Sequence, residues 1–503
     1  MIQSIDYAAI APPLIVAVAA IALLLADAFG ASRRVLGLVS LGAVGAALVT
    51  VIALALGDRR ATFCLTGDLR GNGPPSCSYV TDDFTLIFQG VVLAAALVVV
   101  LLSLEEITAA GARLPAGEFH FLLLAAIAGA LTLVAARDLV LLVVALETLS
   151  LPVFALVALR RYDGVASEAA LKLFLVSVIS TAVMLFGISL LYGVTGAMHL
   201  DRVAPALGRV PGDLEPVAAV GVVMVLAGFA FKVAAVPFHF WAPDVYQGAP
   251  LPVTAFLSVV SKAAGFAGLT IVVALGLPAY GHVWGPVLGV LAAVTMTLGN
   301  LVALRQRSAI RLLAWSSIAQ SGYMLAPLAV GDERLPEAVA ATVAYVAIYS
   351  VMNIGAFAVV IGFRRRAGAP AAGPAPSWDT LDDYRGLARR NPATAAAMAF
   401  FLICLAGLPP GVMGLFAKIV VFRATVAGGA TWLAVVMAVN TVIALYYYLA
   451  WAARLFAAPS GAAEPPRMPR GAAVRAAIGA AAAGAVVLSV APQLVLQAAA
   501  AIT

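Results

Sequence analysis

Lysine is scarce in this chain, with four residues against twenty-six arginines, and there are only four histidines and three cysteines. Each shortage excludes something. Charged residues make up 11% of the 503 residues while 63% are hydrophobic, and the mean hydropathy is +1.05. Soluble domains carry about 25% charged residues, so this composition describes an integral membrane protein with almost no extramembrane domain. Three cysteines cannot hold a four-cysteine iron–sulfur cluster. His120, His199, His239 and His282 lie in loops or near span ends, an arrangement unsuited to haem ligation, and no zinc spacing occurs. No lysine is followed by Ser or Thr, so there is no phosphate-binding GxxxxGK[ST] loop. The GxG at Gly71 and Gly73 has Ser76 where a third glycine is needed. No cofactor, metal or nucleotide is therefore expected in this chain. The net charge of +6 does not point to nucleic acid, because the arginines sit in short loops between apolar runs, where membrane topology explains them.

A span needs about 20 apolar residues. By that ruler the sequence predicts an all-α polytopic fold with about 14 transmembrane helices, bilayer lipid being the first partner. Residues 1–30 do not read as a signal peptide, since Asp6 precedes the apolar run and Arg33 and Arg34 follow it. Loops after odd-numbered spans hold Arg33, Arg34, Arg113, Arg160, Arg161, Arg305, Arg307, Arg364 to Arg366, Arg385, Arg389, Arg390, Arg467 and Arg470. The opposite loops hold fewer: Arg59, Arg60, Arg70, Arg137, Arg202, Arg209 and Arg334. The richer set reads as cytoplasmic, which puts both termini on the outer side of the membrane. Cys64 and Cys77 then share a loop on the oxidising side, where a disulfide is favoured, while Cys404 is a small core residue. The one substantial polar segment, residues 364–392, reads as a cytoplasmic loop that either connects spans or docks on a neighbouring subunit.

All four lysines fall inside apolar segments: Lys172 in the sixth expected span, Lys232 in the seventh, Lys262 in the eighth and Lys418 in the twelfth. Charge at bilayer depth is costly and marks ion pathways. An arginine stays protonated there, whereas a buried lysine can lose its proton. Glu147, in the fifth span, is the one carboxylate at comparable depth. Pro237 follows Lys232, and "GLPPGVMGLFAK" precedes Lys418, so helices 7 and 12 should be broken. Two broken helices five spans apart, each with a lysine, fit inverted repeats. The expected switch is an ion pair of Glu147 with Lys232, with Lys262 as central relay and Lys418 as exit-side donor. Ser258, Ser261 and Thr254 are expected to wet the path around Lys262, and Ser177, Ser180 and Thr181 that beyond Lys172. Lys172 is the best candidate for a lysine that only snorkels. His239 either joins the relay or merely bonds a neighbour. The run Tyr446, Tyr447 and Tyr448 reads as an interface anchor or helix contact rather than a quinone cradle.

The segments "FKVAAVPFHFWAPDVYQGAPLPVTAFLSVVSKAAGF", "LAGLPPGVMGLFAK" and "ALETLSLPVFAL" resemble the antiporter-like membrane subunits of respiratory complex I, and subunit N among them. The resemblance runs from about the fourth to the thirteenth span. It implies N-terminal helices over residues 1–118, inverted five-helix repeats over 119–276 and 277–456, and a last helix in 457–503. It also implies one proton channel through Glu147, Lys232, Lys262 and Lys418. Partners would be other membrane-arm subunits of an NADH:quinone oxidoreductase in a bacterial plasma membrane, with NADH and quinone used by other subunits of the complex. The twelfth-helix motif is one residue longer than the family's usual form, which bears on the reach of Lys418. A subunit of a multi-subunit cation/proton antiporter or of a membrane-bound hydrogenase shares the same motifs, and a purely structural spacer is the third reading.

Overall fold

The computed structural model describes residues 5–66, 75–363, 379–458 and 471–502. Arg70, Gly71, Gly73, Arg364 to Arg366, Arg467 and Arg470 lie outside them. Three helices precede the core: α1 (Ala11–Ala28), α2 (Arg33–Ala55) and α3 (Asp83–Ala110). Then come α4 (Ala116–Leu133), α5 (Leu139–Ala158), α6 (Gly164–Thr195), and the broken pair α7 (Glu215–Lys232) and α8 (Trp241–Gly248). The chain continues through α9 (Leu251–Gly276), α10 (Gly281–Ala303), α11 (Ala309–Leu325) and α12 (Leu335–Phe363). A second broken pair follows, α13 (Pro392–Ala406) and α14 (Val412–Ala427), then α15 (Thr431–Phe456) and α16 (Ala472–Val490). Among the described residues, 12 helices are long and apolar enough to cross a membrane. The expected tenth span, α11, has 17 helical residues and runs on as a 3₁₀ turn to Val330, and the expected twelfth is split into two short halves.

Helix starts follow side-chain capping. Ser32, Asp82, Asp138, Asp163 and Ser308 each accept a first-turn backbone N–H, satisfying donors that the helix leaves open. Helices α9 and α12 are buried almost all round, which places them at the centre, α9 against α3, α4, α7 and α12. Small residues allow the closest crossings. A Cβ at Gly187 would meet the Gly221 carbonyl at 2.7 Å, and one at Gly299 the Ala319 amide at 2.7 Å.

Among the described residues the one sheet is β1 (Arg60–Cys64) paired antiparallel with β2 (Cys77–Thr81), with Cys64 opposite Cys77. The expected disulfide between these two cysteines is formed, and Cys404 is free and buried. Beside the sheet, Arg137 clasps both oxygens of Asp82 at 2.8 and 2.9 Å. Burial alone would raise the Asp82 carboxyl, but the guanidinium holds it below the usual carboxylate range. Of the polar segment 364–392, the described half folds back on its own chain. Leu381 N donates to the Arg307 carbonyl, Gly386 N to the Arg454 carbonyl, and the Tyr384 ring packs edge-on against Trp451.

Candidate functional site

The first break begins at Lys232 itself, the last residue of α7. Ala234 takes a left-handed φ of +57°, and Pro237 supplies no N–H, so the helix cannot continue. The freed amides are nevertheless satisfied: Ala235 N bonds the Ala230 carbonyl and Val236 N bonds Thr295 Oγ1 at 2.9 Å. Irregular backbone at membrane depth survives only under such cover. Lys232 is buried, and its Nζ donates to Ser150 Oγ at 2.8 Å. Ser150 is on α5, one turn beyond Glu147. The expected direct Glu147–Lys232 pair is not formed. Glu147 instead accepts from Thr181 Oγ1 at 2.7 Å, on the half-exposed α5–α6 seam. The reason is reach: α7 ends so that its lysine faces the Ser150 turn, and the carboxylate points one turn away toward α6.

Lys262 sits where α9 changes from a π turn over Leu257–Ser261 back to α-helix, a distortion common at functional positions. Its Nζ uses all three donors on one neighbour: Ser317 carbonyl at 2.6 Å, Ser317 Oγ at 2.6 Å and Ser321 Oγ at 2.8 Å. Ser321 Oγ in turn donates to the Val233 carbonyl at 2.7 Å, immediately after Lys232. Ser317 Oγ shares a hydrogen bond with Tyr349 OH at 2.7 Å. Thr254 and Ser258, expected around Lys262, bond elsewhere. Thr254 Oγ1 donates to the Tyr246 carbonyl on α8, and Ser258 Oγ to the Ala255 carbonyl in the preceding turn of its own helix.

The second break closes on glycine. Gly407 has a φ of +80°, and Gly411 and Gly414 lie so close to Cys404 that a Cβ on either would collide with its backbone. Lys418, on α14, reaches back across the break to donate to the Ala406 carbonyl at 2.7 Å, the last residue of α13. Its ammonium also stands 5.4 Å from the Tyr323 ring centroid. A cavity of about 470 Å³, lined by Gly407, Lys418, Phe422 and Arg423 among others, opens beside it. The extra residue in the motif thus leaves Lys418 within reach of the break.

A second polar cluster joins Lys262 to Lys418 along α11. Gln320 accepts from Tyr345 OH at 2.6 Å and donates to Tyr448 OH and to the Leu405 carbonyl, next to the Lys418 acceptor. Tyr448 also bonds Ser316, and Tyr345 stacks on Tyr323 at 6.2 Å. All of these residues are buried. The tyrosine run is therefore split in role: Tyr446 is 69% exposed, Tyr447 bonds Asn300, and Tyr448 belongs to the buried line.

Two expected residues stand apart. Lys172 is exposed, held by Glu168 at 2.7 Å and Asp244 at 2.9 Å, and Asp244 also binds Arg311 at 3.0 Å. Its position two turns into a 32-residue helix leaves it at the rim. His239 is half-buried against the Trp315 ring at 5.3 Å, away from all the lysines' bonds. Reading the sequence missed Ser150, Ser317, Gln320, Ser321, Tyr345 and Tyr349. A signal existed in "WSSIAQSGY", whose Ser316, Ser317, Gln320 and Ser321 share one face of an otherwise apolar helix.

Residues 136–444, more than half the chain and including Lys232, Lys262 and Lys418, match the family model for the transmembrane part of NADH:quinone oxidoreductases and Mrp antiporters. The chain is 54% identical to NADH-quinone oxidoreductase subunit N 2 of Streptomyces griseus, over 92% of this chain and 85% of that one. It is 45% identical to subunit N of Salinispora tropica over 92% and 88%. It superposes on a chain of respiratory complex I from Thermus thermophilus with a TM-score of 0.78 and 34% identity, covering 97% and 98%. A chain of the Mrp complex from a Dietzia species shares the fold alone, with a TM-score of 0.80 at 21% identity. The chain is thus a multi-pass membrane protein of the NADH:quinone oxidoreductase/Mrp antiporter family, on its subunit N branch.

Proposed function

We propose that this chain is a proton-translocating subunit in the membrane arm of an NADH:quinone oxidoreductase, acting beside the other membrane-arm subunits. Hydride and quinone chemistry fall to other subunits of the complex, and this chain carries no redox centre of its own. The observation that carries the reading is the buried file of three amines, Lys232, Lys262 and Lys418, each bonded to hydroxyls or carbonyls rather than to a carboxylate. Neutral acceptors tolerate an amine whether or not it holds a proton, whereas a close carboxylate would lock the charge in place. Glu147, one turn from the Lys232 acceptor, is the group whose approach or withdrawal biases the first amine. The serines on α11 and the tyrosines around Gln320 are hydroxyls through which a proton can step between amines. Lys172 and His239 stay outside the path.

This reading keeps about fourteen crossings, with α7–α8 and α13–α14 each counted as one, and repeats over residues 119–276 and 277–456. It places both termini on the outer face of a bacterial plasma membrane, supported by the arginine bias. Replacing Lys262 by Arg in the assembled complex tests it, because arginine keeps the charge but does not release a proton. NADH-driven pumping should fall by up to roughly 100-fold, the scale of a positioned proton-transfer group. A Lys262→Arg complex with unchanged rate and proton-to-electron stoichiometry overturns the proposal and leaves a structural spacer.

A further inference from the structure

We infer that the ends of α2, α3 and α4 form a binding site for an anionic phospholipid with a headgroup hydroxyl, such as a phosphatidylglycerol. A cavity of about 240 Å³ lies there, lined by Arg33, Arg34, Leu38, Leu104, Ile107, Thr108 and His120. None of these belongs to the lysine line, and Arg33 to His120 lies outside the matched family segment.

Four features converge. Arg33 and Arg34 are exposed, and neither forms an ion pair with a described acidic residue. They open α2, a 23-residue helix whose N-terminal dipole end suits a phosphate. His120 is 1% exposed, and its Nε2 has no partner. Its other nitrogen, Nδ1, lies 2.9 Å from Ser40 Oγ, while that hydroxyl gives its single proton to the Leu36 carbonyl. Nδ1 must therefore be the donor, which leaves Nε2 of the neutral ring as an acceptor. That nitrogen lies toward Gly37, 3.6 Å from where a Cβ would stand there, one turn from the arginines. It calls for a ligand that also brings an O–H.

The lower wall selects a lipid over a free anion. Leu38 is one turn deeper in α2, and Leu104 and Ile107 line the facing side of α3. Charged head at the span ends and apolar wall below is the layout of a phospholipid, and basic pockets between helix ends on the arginine-rich side of a membrane protein commonly bind such headgroups.

The test uses the assembled complex and a photoactivatable phosphatidylglycerol, with crosslinks mapped to peptides around Leu38 and Leu104 as the lipid is titrated. Arg33→Gln with Arg34→Gln should weaken labelling there about 30-fold, from two surface arginines, and the double Lys variant should restore most of it. Phosphatidylcholine should not compete, and neither should inorganic phosphate. Equal labelling of wild type and the double Gln variant overturns the site. Displacement by inorganic phosphate overturns the lipid assignment in favour of a free anion.

Discussion

The two broken helices solve one problem with different parts. In both, an ammonium sits at the C-terminal end of the first half-helix, where the helix dipole is negative. At the first break, that lysine is the terminal residue of α7; at the second, Lys418 arrives from α14 and bonds the last carbonyl of α13. The first is made by an alanine in a left-handed conformation and a proline, the second by glycines pressed against Cys404. Their acceptors differ most. Lys232 donates a hydrogen bond to a serine hydroxyl one turn from Glu147, whereas Lys418 donates to a fixed backbone carbonyl and faces a groove of about 470 Å³. A carboxylate can move and a backbone carbonyl cannot. On the proposed function, the first break would be the adjustable one and the second a fixed station open on one side.

That contrast can be broken experimentally. The largest effect is expected from Gly414→Val. Its Cβ has no room beside the Cys404 carbonyl, so overpacking should cost about 1–3 kcal/mol. A thermal scan of the purified complex would show it, and a wild-type midpoint would mean that the second break is looser than described. Ser321→Ala comes next. It removes both a Lys262 acceptor and the donor to Val233, leaving buried groups unpaired at about 1–3 kcal/mol. It should also slow pumping, because it severs Lys262 from the first break only. Equal slowing by Ala substitution of Ser321 and of Thr441, which bonds Tyr323 near the second break, would erase the distinction. The smallest effect belongs to Asp244→Asn. This carboxylate ties α8 to Lys172 and Arg311 at the surface, and no described residue does the same for α14. The loss should be visible at low ionic strength and vanish at about 1 M salt, where exposed pairs are screened.

Much of this was legible without coordinates, for identifiable reasons. Hydropathy requires spanning helices because a bilayer leaves the backbone no other partner. Pro237 and the Gly407–Gly414 motif announce breaks because their backbone restrictions are local. A lysine in an apolar run declares itself because charge is expensive there. Pairings were less legible. Glu147 and Lys232 are the obvious couple by depth, yet two side chains at one depth meet only if their helices present facing sides. Thr181 and Ser150 intervene. Lys172, the best candidate for snorkelling by its place near a helix end, is exposed and held by Glu168 and Asp244, partners that the sequence did not name.

By itself, then, the sequence determined the class of fold, the two breaks, the disulfide partners and the identity of the amines, all of which depend on composition and short-range backbone rules. Only the tertiary structure decided what each amine bonds. It put Ser317 and Ser321 of α11 on Lys262, Ala406 on Lys418 and Ser150 on Lys232, and it brought Gln320 between two tyrosines, Tyr345 and Tyr448. Hydrogen bonds across 55 or 132 residues of chain, such as Lys262 to Ser317 and Ser316 to Tyr448, depend on how helices rotate and cross. That rotation is set by packing of the whole bundle and not by any local run of residues.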